Sequence, residues 1–257
     1  MSDADEIVQA ELADEPLEVR QPPLSISHLL LWILGSAVVL GSYRWLAEPV
    51  GDDETRRLLY QLDQLARSLT YGAGAAALLI FARRLIARDA PLPRHPGHWL
   101  LLIQGINWPA YWLLLLSYFG LRGMPQDAPR DWESIRRFAL ASMLYYLWTA
   151  GLYAAVLAFL RDAKRWRMFF AVGAALPLVH AVIWCCMFGG YQSLIERSFI
   201  MVRIAVALAI LTVCILRDRR EGVRRDWLHV AGVSFYILGV FTYLAIYLLL
   251  IFLPRAS

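Results

Sequence analysis

Few side chains in this sequence could do chemistry, and most of those lie inside apolar runs. The stretch IQGINWPAYW, residues 103–112, places Gln104, Asn107 and Tyr111 at i, i+3 and i+7, with Tyr118 seven positions further on. That spacing puts all four on one face of a helix. An amide left unpaired in hydrocarbon costs several kcal/mol, so the face must look into protein or into a cavity. Two readings follow. Either the amides join helices, each bond contributing roughly 1 kcal/mol, or they line a binding cavity. Pro109, in the same stretch, removes a backbone donor, frees a carbonyl one turn back and can kink the helix.

Comparable stripes recur downstream. Ser142, Tyr145, Tyr146, Thr149 and Tyr153 lie along one side of a later run. Gly173, Pro177, His180 and Trp184 share a face of the next, and Gly232, Tyr236, Gly239, Tyr243 and Tyr247 follow helical spacing near the end. Counted from the ends of their runs, Asn107, Tyr146, Thr149, His180 and Tyr236 fall at one depth. The expected site is a shared polar and aromatic pocket formed by Gln104, Asn107, Tyr111, Tyr146, Thr149, His180, Trp184, Tyr236 and Tyr243. Such a lining suits a lipid, a quinone or another amphipathic molecule better than a small ion.

The titratable residues add less. His180 is the one histidine deep in an apolar run, a position that raises a functional hypothesis by default but is more often that of a neutral, hydrogen-bonded packing residue. His28, His98 and His229 open three runs and would gather near one membrane face, but no ligand spacing joins them, so no metal is assigned. Haem ligation would need a second histidine at the depth of His180. Arg203, about one turn into its run, is expected to snorkel to the interface, with an anion contact or a pair with Glu196 as the alternative. Asp127 and Asp131 form an isolated DxxxD, read as a polar loop with Asp131 near a helix cap. Cys185, Cys186 and Cys214 are read as small packing residues, Cys214 being too far from the others in depth for a disulfide. HExxH, GxSxG, Walker A and paired histidine boxes are absent, and Lys164, the single lysine, lies between runs. No catalytic residue and no cofactor is therefore assigned.

The elements that must position these residues are blocked out by composition. The 257 residues are 59% hydrophobic and 18% charged, with a mean hydropathy of +0.50; soluble domains carry about 25% charge. Seven runs approach the roughly 20 apolar residues needed to cross a bilayer, at about 26–44, 68–87, 98–120, 137–160, 168–190, 199–216 and 228–253. Backbone groups in lipid must satisfy one another, so the runs are helices. The second run is short in purely apolar residues. Before it, Leu58, Leu62, Leu65 and Leu69 form one stripe of an amphipathic helix that either lies on the membrane surface or extends the span. Asp52 or Asp53 would cap it.

The expectation is an all-α, polytopic bundle of seven transmembrane helices over 26–253, plus that short amphipathic helix, with an acidic disordered tail over 1–25 and a C-terminal tail over 254–257. No cleavable signal peptide is visible, so the first run would act as an anchor. The net charge of +4 is nearly all arginine and falls at run ends, which marks topology rather than nucleic-acid binding. Its bias places the N-terminus and the loops 161–167 and 217–227 in the cytoplasm; arginine richness, compactness and the absence of a signal peptide point to a bacterial-type inner (plasma) membrane. Arg-Asp pairs at 88–89, 161–162 and 217–218, each followed by a run opening at Trp99, Trp166 or Trp227, express the same interfacial physics rather than a duplication.

Three functional readings stand. The preferred one is a non-enzymatic sensor or carrier of a small amphipathic or lipid-like ligand in the mid-membrane pocket. The second is an accessory or scaffold subunit whose stripes are packing surfaces, with a membrane partner docking through Gly72 and Gly74 in YGAGAAA. The third is an intramembrane enzyme using His180 as its base.

Overall fold

The computed structural model describes residues 25–46, 54–86, 95–122, 132–160, 164–187, 194–223 and 225–252. Seven helices account for nearly all of them: α1 (Ile26–Leu46), α2 (Glu54–Ile86), α3 (Pro96–Arg122), α4 (Trp132–Phe159), α5 (Lys164–Met187), α6 (Leu194–Arg220) and α7 (Trp227–Phe252). Each contains a stretch long and apolar enough to cross a membrane. Their outward faces carry large apolar side chains such as Leu30, Ile33, Leu113, Val182, Val202 and Phe241. In water such surfaces would aggregate; in a bilayer they are the solvated ones. The tail 1–24, Asp52, Asp53, the Arg-Asp pairs at 88–89 and 161–162, and Asp127 and Asp131 lie outside the described residues, as do the side chains of Tyr118, Cys186 and Glu196.

Each helix from α1 to α6 packs on the next in sequence, and α7 returns to lie against α2 and α3 while touching α6 only sparingly. Helices α2 to α7 thus form a ring, with α1 outside it against α2. Two contacts of glycine on glycine set the ring's tightest points. Gly74 of α2 and Gly105 of α3 place backbone on backbone, as do Gly97 of α3 and Gly232 of α7. A β-carbon at any of the four would strike main chain, so only glycine permits these approaches.

Of the two alternatives for the amphipathic stretch, the structure has the second: it extends the span as the first half of one 33-residue helix, α2, about 50 Å long. Along it Leu58, Leu62 and Leu65 are exposed, while Gln64, Ser68 and Thr70 are buried. Lipid is the apolar solvent, so leucines face outward and polar residues face the bundle. The small residues further along α2 are likewise internal. Gly72 lies against Ser36 of α1 and Gly74 against Gly105.

The interior has two storeys. Toward the ends of α3 and α7 marked by Pro96 and Trp227, a dry core joins Leu100, Ile103, Val156, Trp166, Phe169, Phe170, Leu211 and Val233. Beyond it the packing opens. Cys214 is buried in the same core and Cys185 is exposed; both are free thiols.

Candidate functional site

The open storey is a cavity of about 420 Å³ walled by α2, α3, α4, α5, α6 and α7, a size ordinary for a small-molecule site. Gln104, Asn107, Tyr111, Tyr146, Thr149, Tyr236 and Tyr243 all line it. His180 and Trp184 do not. The His180 ring is fully buried, stacked on Tyr146 at 4.1 Å between centroids and edge-on to Phe199 at 5.5 Å. It therefore stands behind the wall, where Tyr146 separates it from the cavity. Trp184 packs edge-on against Phe138 at 5.4 Å, one turn further along α5.

The two amides of α3 have different surroundings. Asn107 Nδ2 donates to the Tyr145 hydroxyl at 3.0 Å, and its Oδ1 accepts from Thr149 Oγ1 at 3.2 Å. The same Thr149 hydroxyl lies 2.9 Å from the Tyr145 carbonyl. Asn107 thus knots α3 to α4, as interhelical glue should. Gln104 Oε1, one turn earlier, is buried without a hydrogen-bond partner among the described residues, and so is Thr70 Oγ1 across the cavity on α2. Buried polar atoms normally find partners, so two orphans among the lining residues mark surface shaped for something polar.

Several lining residues were not foreseen: Arg67, Thr70 and Tyr71 from α2, Tyr145 and Tyr153 from α4, and Arg203 from α6. Arg67 pairs with Asp63 at 2.8 Å and sits over the rings of Tyr111 and Tyr243, at 5.2 and 5.7 Å. Tyr111 also stacks on Tyr71 at 5.9 Å and meets Tyr145 at 5.8 Å. Arg203 does not snorkel outward; its guanidinium lies 5.9 Å over the Tyr146 ring. A signal for the α2 residues was present. Asp63, Arg67, Thr70 and Gly74 repeat at i, i+4, i+7, i+11, the same spacing as the leucine stripe on the opposite side.

The two prolines inside helices add backbone acceptors. Pro177 leaves the Gly173 carbonyl without its i+4 donor, and both residues belong to the cavity wall. Gly173 is glycine because the Tyr153 ring lies against its α-carbon. Pro109 similarly deprives Gly105 in α3.

A second polar assembly closes the opposite end of the bundle. His98 Nε2 lies 2.9 Å from both oxygens of Asp226, and His95 lies 3.5 Å from it. Asp226 also accepts from the His229 backbone N–H at 2.7 Å, capping α7. The Gly97 N–H donates to His229 Nδ1 at 2.9 Å. Arg225 bonds Asp218 through two nitrogens, at 2.8 and 3.0 Å, and Trp166 Nε1 donates to the same carboxylate at 3.0 Å. Burial alone would raise the Asp226 carboxyl, but its bonds to His98 and to the His229 N–H, with the nearby imidazoles, hold it below its ordinary value of 3.8. His98 and His229 therefore meet here, joined by His95, whereas His28 turns to Ser25 and Trp227. Among the described residues no group of histidine, cysteine and carboxylate side chains could hold a metal.

Comparison with protein-family models, with curated proteins and with solved structures finds no match for this chain. The site must be interpreted from its own chemistry.

Proposed function

We propose that the chain is a non-enzymatic membrane protein that binds a small amphipathic or lipid-like molecule in this cavity, as a sensor or a carrier. The observation that carries the reading is the pair of unpartnered polar atoms, Gln104 Oε1 and Thr70 Oγ1, on the wall of a tyrosine-rich cavity inside the bundle. Rings supply apolar contact and hydroxyls supply orientation, the mixture that amphipathic ligands use. The arginine bias supports a cytoplasmic N-terminus, with the loops 161–167 and 217–227 on the same side of the membrane.

The two α3 amides test the reading as a pair. Gln104→Leu should leave the thermal midpoint of the detergent-solubilised protein nearly unchanged and abolish the amphiphile that native mass spectrometry finds on the wild type. Asn107→Leu should lower stability by roughly 1–2 kcal/mol, since it breaks two interhelical bonds. If the wild type carries no small molecule and instead co-purifies with a membrane protein in fixed ratio, the scaffold reading replaces this one.

A further inference from the structure

We infer that the cavity receives the singly charged oxyanion of an amphiphile, a carboxylate or a phosphate diester, with Arg203 as its counter-ion. The inference rests on the ligand-binding reading above and deepens it.

The argument is one of charge balance. The lining holds two guanidiniums and no carboxylate. Arg67 is matched: Asp63, one turn before it, lies 2.8 Å away, and two tyrosine rings flank the cation. Arg203 is unmatched. It has no carboxylate within ion-pairing distance among the described residues, and its guanidinium rests over the Tyr146 ring. A charge inside a membrane span is costly unless it is paired or faces a wet cavity, and such residues mark ligand paths. With Asp63 counted, the site carries one net positive charge. One negative charge would neutralise it; a neutral ligand would leave the cation uncompensated. Guanidinium geometry suits a two-oxygen anion in particular.

Shape argues for an amphiphile over a bare anion. Helices α6 and α7 face each other across the cavity and touch only sparingly. Between them the wall is apolar, formed by Ala207, Ile210 and Val240, all partly exposed. A headgroup at Arg203 would leave its chain to pass between α6 and α7 toward the lipid.

The test compares three probes on the full chain in neutral detergent at pH 8: oleate, oleyl alcohol and acetate. Oleate should bind at least about tenfold more tightly than the alcohol, since the two share a chain length and differ in charge. Arg203→Gln should reduce oleate to the level of the alcohol, and Arg203→Lys should recover part of the loss. The wild-type comparison alone carries the charge argument should Arg203→Gln fail to fold. Equal binding of oleate and alcohol, insensitive to Arg203→Gln, overturns the oxyanion and leaves the cavity reading intact. Binding of neither overturns the cavity reading itself. Acetate that displaces oleate at equal concentration overturns the lipid source in favour of a water-borne anion.

Discussion

Asp226 joins three residues in the polar assembly at the end of the bundle opposite the cavity. It caps α7, bonds His98 of α3 and sits close to His95. Its carboxyl is held below the ordinary 3.8 by those hydrogen bonds against the opposing effect of burial. A depressed folded value means that the ionised form stabilises the fold. That contribution is complete above the ordinary carboxylate value and is lost as pH falls through the folded one. Thermal unfolding in detergent should therefore show an acid-induced loss below about pH 4 that is smaller in Asp226→Asn, which retains a capping oxygen but no charge. Equal acid sensitivity in both proteins would remove Asp226 from the account. Nothing in the sequence singled this residue out, because its partner His98 is 128 positions away. Gln104, Asn107 and Tyr111 were legible because one helix carries them all, and their spacing alone fixes a common face.

Among the elements, α2 carries the clearest lesson. A leucine stripe on a polar helix signals an inward apolar face in water and an outward one in lipid, and the residue pattern is identical in both cases. Only the assignment of solvent decides. Once α2 is placed in the bilayer, Arg67, Thr70 and Tyr71 turn toward the cavity, and the site gains a wall that spacing had hidden. The same placement brings Gly74 onto Gly105. Gly105→Leu should force α2 and α3 apart and destabilise the protein by at least about 1–3 kcal/mol, as overpacking does in well-packed cores. Gly151 is the control, because a β-carbon there would meet nothing within 4 Å. Gly151→Ala should leave the unfolding midpoint unchanged or slightly raised.

For the whole molecule, the seven-helix count was legible from run length, whereas the ring closed by α7 was not. Closure depends on Gly97 meeting Gly232 and on α7 choosing α2 and α3 over α6, contacts that no local pattern encodes. Sidedness is open to direct measurement. With the three native cysteines replaced by alanine, Glu54→Cys should react with an impermeant thiol reagent on intact cells, and Arg219→Cys only after permeabilisation. The reverse pattern would invert the orientation read from the arginines. Finally, the inward polar strip of α2 bears on how the protein is made. Lipid alone offers Asp63, Gln64 and Arg67 poor shelter. The neighbours that cover that side of α2 are α3, which follows at once, and α7, which leaves the ribosome only after α4, α5 and α6. Helix α2 therefore reaches its final environment only when α7 has arrived, so its insertion cannot be completed span by span.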